Sequence, residues 1–252
     1  MKKLLYLVLA LTLALAACGT APSPDEPADG PGAAGERLRA RVFDTDADTL
    51  LLAGLEAPYD EVYAVPAEAL PAVGVPPEEL RTGAMVELTF DGSVEETFPA
   101  RLGEITWATV PDDGYDGLCR LYLDVLEDLW SVDPALHADI ARLGFDLGST
   151  RLTPSEQAAL GLVFARTHGI GETVFGTWQE LAEQGLIDGE NLCWDDGALL
   201  SVREKNDEYG QVLFDAEIWR SGLGAYLFCD CGSQKLLGGD WEPYTVGSEA
   251  VA

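Results

Sequence analysis

The sequence predicts two folded domains in tandem: a small all-β domain over residues 38–110, then an α+β domain over residues 111–252 whose helices pack on a curved antiparallel sheet. Three observations predict it. Apolar residues recur at every second position in several runs up to Val110. The period lengthens to 3.6 residues after the turn Pro111-Asp112-Asp113-Gly114. Alternation returns after Ala198, in runs separated by turn residues. A chain of 252 residues that is 47% hydrophobic and 23% charged can bury one or two cores. Its 15 Lys and Arg stand against 44 Asp and Glu, a formal charge of −29. That excludes a nucleic-acid partner, because phosphate backbones are bound by exchanging their counterions for Lys and Arg.

The chain opens with Lys2 and Lys3, an apolar stretch from Leu4 to Ala17, and Leu15-Ala16-Ala17-Cys18. A stretch this short, after a charged start and before small residues, is a secretory signal peptide (residues 1–17) rather than a membrane span. The last four residues resemble a bacterial lipobox. That resemblance implies cleavage before Cys18, lipidation of its thiol and a membrane partner reached through the N-terminal lipid. Residues 18–37 are rich in Pro, Gly and Ala and have no apolar face to bury, so they read as a disordered tether between the lipid and the first domain.

Within the first domain, Arg39 to Asp44, Thr49 to Ala53 and Asp60 to Val65 read as three strands. The proline-rich stretch from Pro66 to Arg81 forbids a long helix. Met85 to Asp91 alternates cleanly, Asp91-Gly92 turns the chain, and Phe98 to Val110 reads as one last strand. Five strands interrupted after the third suit a small barrel of the OB type. The strings VELTFDG and ETFPARLGEIT resemble an OB-like domain in a family of Gram-positive bacterial lipoproteins of unknown function. The resemblance implies a fold and an outward-facing, membrane-anchored location, and no activity. Asp44, Asp46 and Asp48 have the spacing of the first calcium ligands of an EF-hand. Thr49 and Leu55 occupy the positions where that loop needs Gly and Glu, which favours an acidic hairpin turn over a calcium site.

In the second domain, Leu118, Leu121, Tyr122, Val125 and Leu129 share one helical face. Asp133-Pro134 opens a short helix expected to bury Leu136, Ile140 and Leu143. Thr153 with Glu156 and Thr177 with Glu180 form capping boxes, their helices closed at Gly169 and Gly185. Strands are expected at Ala198 to Arg203, Gln211 to Trp219, Gly224 to Cys231 and Trp241 to Val246, with a turn at Asn206-Asp207. Helices first and strands after resemble NTF2-like or cystatin-like folds. The strings FGTWQELAEQGLIDGENL and WRSGLGAYLF resemble the C-terminal part of the same lipoprotein family.

Chemistry-bearing residues are few. Outside the cytoplasm, Cys119, Cys193, Cys229 and Cys231 favour disulfides. In a flat strand Cys229 and Cys231 are the least suited pair, so one or two bridges to Cys119 and Cys193 are expected. Their C-x-C spacing disfavours zinc, and buried free thiols are the other reading. His168 suits a helix C-terminus, His137 flanks an apolar face, and a His168 and Cys229 catalytic pair would need a contact in space. Trp219, Arg220 and Ser221, beside Gly222 and Gly224, are the candidate ligand-binding residues, with a hairpin corner or bulge as the alternative. No nucleophile-elbow, zinc-protease or P-loop pattern occurs, and no metal or cofactor is implied. The function this supports is a non-catalytic module that binds a small ligand or an envelope partner on the concave face of the C-terminal sheet. The alternative is an extracytoplasmic hydrolase that uses dispersed acids.

Overall fold

The computed structural model describes residues 35–44, 48–205 and 208–252. The expected signal peptide, the lipidation site at Cys18, most of the tether, Asp46 and the Asn206-Asp207 turn lie outside them. The described chain is mostly β, with two mixed sheets and few helices.

The first sheet holds β1 (Glu36–Asp44), β2 (Thr49–Gly54), β3 (Val62–Pro66), β4 (Met85–Phe90), β5 (Val94–Glu95), β6 (Ala100–Leu102) and β7 (Ile105–Thr109), in the order β5-β6-β3-β2-β1-β4-β7. A short helix, α1 (Ala69–Ala72), and a 3-10 turn at Pro77–Glu79 fill the proline-rich interruption. The strand expected from Phe98 to Val110 is broken in two: β6 runs parallel to β3, and β7 runs antiparallel to β4. At the break, Gly103 donates its N–H to the Ser93 carbonyl at 2.8 Å and the Glu104 carbonyl accepts from Asp91 at 3.0 Å. A Cβ on Gly103 would lie 2.1 Å from an Asp91 carboxylate oxygen, so this close approach requires glycine. The ladder order ends at β5 and β7, so the strands expected to form a small barrel make a sheet that does not close.

Strand β2 is buried on both faces, which is why Thr49–Gly54 reads as an almost continuous apolar run instead of alternating. Ala40, Val42, Leu50, Leu52, Tyr63 and Val65 point into the first sheet's own core. Their neighbours Phe43, Leu51, Ala53 and Val62 join a second core with the helices that follow. The two sheets therefore share buried apolar residues across the expected domain boundary.

The second sheet has the order β13-β12-β11-β10-β8-β9. Its strands are β8 (Arg142–Asp146), β9 (Glu172–Phe175), β10 (Gly197–Glu204), β11 (Gln211–Ser221), β12 (Gly224–Gln234) and β13 (Ser248–Val251). β8 is parallel to both β9 and β10, so the expected antiparallel sheet is corrected to a mixed one. Trp241 to Val246 makes two isolated bridges instead of a strand, since Pro243 lacks the N–H a ladder needs. The helix expected to bury Leu143 is a single 3-10 turn, Pro134–His137, whose Ala135 N–H is capped by Asp133, and Leu143 sits on β8.

Helix α2 (Leu118–Val132) buries Leu118, Cys119, Leu121, Tyr122, Val125, Leu126 and Leu129. Each large apolar side chain contributes about 1.5–3 kcal/mol on burial, which fixes that face against the sheet. α3 (Pro154–Thr167) and α4 (Trp178–Glu183) begin at the expected capping boxes, with both reciprocal bonds formed in each. α3 connects β8 to β9, and α4 covers the other face of the second sheet through Leu181, which packs with Trp194 and Leu199.

Candidate functional site

The hinge that changes the sequence period also begins the site. After Pro111-Asp112-Asp113-Gly114 the chain passes Tyr115 and Asp116 and enters α2, with Gly117 donating its N–H to the Gly239 carbonyl at 2.8 Å. Two loops at one end of the second sheet meet this segment. The loop before β11 carries Tyr209 and Gly210, and the one after β12 carries Lys235 to Asp240. Lys235 donates its N–H to the Gly210 carbonyl at 2.8 Å, which couples them. Gly210, Gly238 and Gly239 all have positive φ, so these turns close tightly.

The result is a cleft of about 440 Å³ lined by Asp112, Asp113, Tyr115, Tyr209, Lys235, Leu236, Leu237 and the glycines. Tyr209 is 98% exposed and Leu237 fully so, an apolar lip that no core residue covers. Tyr115 lies under the Arg81 guanidinium, 3.8 Å from its ring centre. Burial pushes the Tyr115 hydroxyl up to about 12, with a hydrogen bond to Asp240 acting in the same direction.

Lys235, which lines the cleft, is held in an ion pair with Asp116, which lies outside the lining. Lys235 Nζ lies 2.7 Å from Asp116 Oδ2, while Asp116 Oδ1 accepts from Trp241 Nε1 at 3.0 Å and from the Leu118 N–H at 3.0 Å. Burial alone would raise the Asp116 carboxyl; the hydrogen bonds from Lys235 and Trp241, with the lysine charge, hold it below the usual carboxylate range. A carboxylate depressed in the folded state contributes stability that is complete above its ordinary value of 3.8 and is lost as pH falls through the folded value. Asp116→Asn is therefore expected to be less stable than wild type near neutral pH. In denaturant melts repeated at falling pH, its stability should lose less than wild type's between about pH 4 and about pH 2.

No family profile, curated protein or solved structure matches this chain. The site therefore rests on its own geometry.

A second, smaller cavity of about 200 Å³ lies behind Asp116, lined by Arg41, Leu118, Cys119, Arg151, Leu152 and Glu156. Arg41 Nε lies 3.1 Å from Glu156 Oε1, with side-chain exposures of 14% and 8%. Arg151 Nε lies 2.7 Å from Glu204 Oε2, and Glu204 Oε1 also accepts from Tyr122. Burial pushes the Cys119 thiol well above its usual range, so it stays protonated and is a poor nucleophile. A third cavity, about 430 Å³, lies beside β3 and β6. Its Arg101 and Glu95 face each other at 3.9 Å and no aromatic ring lines it.

The residues singled out by sequence lie elsewhere. Arg220 is committed to backbone, with Nη1 donating to the Ala138 carbonyl at 2.6 Å and Nη2 to the Asp195 carbonyl at 3.1 Å. Trp219 meets Trp178 edge-on at 5.9 Å, and the register shifts between Trp219 and Ser221. This is the bulged hairpin corner, with carbonyls in place of acids as the arginine's partners. The expected ligand face of the second sheet is filled by α2 and by core residues such as Val212, Phe214 and Ile218.

All four described cysteines are free, which corrects the expected bridges. Cys193 is bridged to Ser221 at one end of β11, whereas Cys231 pairs with Phe214, seven positions away. At about 3.3 Å per residue that separation is far beyond disulfide reach. A bulge at Asp230, with φ +53, separates half-buried Cys229 from Cys231 in the core. Burial pushes the Cys231 thiol up to about 12. His168 Nε2 faces the Glu127 carboxylate at 3.1 Å, not Cys229, and His137 stacks on Trp130 at 3.7 Å. Among the described residues no group of three or more His, Cys, Asp or Glu is placed to hold a metal ion. No described helix is long and apolar enough to cross a membrane.

Proposed function

We propose that this chain is a membrane-anchored, outward-facing lipoprotein that acts as a non-catalytic binding module, with the cleft between Tyr115, Tyr209 and Leu237 taking a small ligand or an envelope partner. The observation that carries the reading is that cleft: a concavity of about 440 Å³ with exposed aromatic and aliphatic lips and an ion-paired lysine, Lys235, in its lining. An apolar rim with few fixed polar groups is the usual character of a ligand site. Asp116 is held ionised by Lys235 and the nearby Cys119 is held as a thiol, so these two groups favour recognition over hydrolysis. The lipid anchor is read from Leu15 to Cys18 alone.

We also read the first sheet as OB-like. The support is the bent β6–β7 segment, which reaches β3 with one half and β4 with the other and so brings the two sides of the sheet towards each other.

The test has two parts. Cys18→Ser is expected to move the protein from the membrane pellet to the soluble fraction in cell fractionation, and continued sedimentation would refute the lipid anchor. Native mass spectrometry of unreduced protein from its own host is expected to show a retained molecule or partner, lost in Tyr209→Ala. Retention by Tyr209→Ala at wild-type occupancy would move the site away from the cleft.

A further inference from the structure

We propose that the occupant of the cleft is a basic, amphipathic peptide segment of a partner protein, whose Lys or Arg side chain is recognised by Tyr209, Asp112 and Asp113. The inference rests on the reading of the cleft as a binding site and names what fills it. Charge, ring faces and exposure each point to this occupant.

Charge sets the sign of the occupant. Lys235 is the only cation in the lining, and its Nζ is already spent on Asp116 at 2.7 Å. Arg81, which borders the cleft over Tyr115, is answered by Asp240 at 3.8 Å. Asp112 and Asp113 are exposed, and among the described residues neither carboxylate makes an ion pair or a hydrogen bond. In a chain of formal charge −29, a concavity whose uncompensated lining charges are both negative repels anions and concentrates cations at its mouth.

The rings show how a cation is held here. Arg81 covers Tyr115 at 3.8 Å from the ring centre, and Lys235 Nζ lies 5.9 Å from that of Trp241. Tyr209 has neither a cation nor another ring against it among the described residues, and its ring is almost wholly exposed. Its face is therefore open to the attraction that its neighbours already use. Exposure then favours a peptide over a free small molecule. Small-ligand sites enclose most of their ligand, whereas Tyr209 and Leu237 both stand clear of the protein. Covering that lip takes an apolar residue beside the cation, which a segment of a partner's surface supplies.

The test follows ¹H–¹⁵N spectra of the intact protein titrated with the peptide Ac-Leu-Lys-Leu-NH2, its Nε-acetylated form and Ac-Leu-Glu-Leu-NH2. Saturable shifts of the Tyr209, Gly210, Gly238 and Gly239 amides are expected with the lysine peptide, weakening as salt rises. Acetylation removes the charge and keeps the apolar neighbours, so it should weaken binding roughly tenfold. The glutamate peptide should not saturate. Asp112→Asn with Asp113→Asn keeps two turn-forming residues, so it should leave the thermal melt unchanged while weakening the lysine peptide roughly tenfold. Glu183→Gln with Glu190→Gln, exposed acids on α4 and in the loop after it, should change neither. Equal binding of the lysine and acetylated peptides at these amides would overturn the cationic occupant and leave the cleft standing as a site. Lysine-peptide shifts that fall elsewhere, or that Asp112→Asn with Asp113→Asn does not alter, would overturn it as well. So would the absence of saturable shifts with all three peptides, and the molecule retained by wild type and lost in Tyr209→Ala then decides the cleft reading separately.

Discussion

Glu156→Ala is expected to lower the unfolding free energy by about 3–5 kcal/mol, the range found when one member of a buried ion pair is removed. The Glu156 side chain is 8% exposed and satisfies three donors: Arg41 Nε and both groups of the Thr153 cap. Its loss leaves the Arg41 guanidinium, 14% exposed, without its carboxylate partner. The pair joins β1 to the first turn of α3, and Ser155 next door donates its hydroxyl to the Gly54 carbonyl on β2 at 2.5 Å. The damage should therefore fall on the shared core, and the denaturant transition should stay single. A double variant, Arg41→Met with Glu156→Leu, should lose less than Glu156→Ala, because no charge is left unpaired. Equal losses in denaturant titrations of the two proteins would show that the ion pair itself, not the avoided burial of a lone charge, sets the cost.

What the sequence made legible here was local. The capping box at Thr153 and Glu156 is a three-residue pattern, and so is that at Thr177 and Glu180; both form as expected. The face of α2 that carries Leu118, Leu121, Tyr122, Val125 and Leu129 is likewise set by a repeat within one element. Pairings over long distances were not legible. Leu143 to Phe145 and Thr173 to Phe175 are short apolar runs that a helix end or a loop would also show, and only their parallel registry with β10 and with each other makes them strands. The break at Gly103 was hidden for a similar reason. Its neighbours alternate as one strand would, and the contact that forces the bend comes from Asp91 and Ser93.

The site was less legible than the fold. The Trp219 to Ser221 segment drew attention because a lone arginine sits beside glycines, yet Arg220 is consumed by carbonyls from residues more than twenty positions away. The cleft is assembled from residues 112–115, 209–210 and 235–239, none of which carries a motif. One signal was available: Tyr209 and Leu237 are large apolar residues within turn sequences, where nothing in the chain offers to bury them. The Arg41 and Glu156 pair, 115 positions apart, left no trace in the sequence.

Gly239→Ala is expected to cost about 3 kcal/mol and to abolish binding at the cleft, whereas the same change one residue earlier should cost about 1 kcal/mol. Both glycines have left-handed backbone, with φ +93 at Gly238 and +90 at Gly239, so both substitutions incur the conformational penalty of about 1–2 kcal/mol. They differ in what a methyl group would meet. At Gly238 there is nothing within 4 Å, while at Gly239 the new Cβ would lie 2.1 Å from the Tyr115 carbonyl oxygen. Backbone must then move, and the bond it endangers is the Gly117 N–H to the Gly239 carbonyl at 2.8 Å, which ties this loop to the start of α2. An amide left without an acceptor there adds about 1–3 kcal/mol. Displacing the loop also pulls Lys235 from Asp116 and Leu237 from the Tyr115 side of the cleft, so the proposed binding should fail together with stability. In thermal melts the two variants should separate by several degrees, and a Gly239→Ala protein that melts with Gly238→Ala and retains its ligand would show that the loop does not hold the cleft in shape.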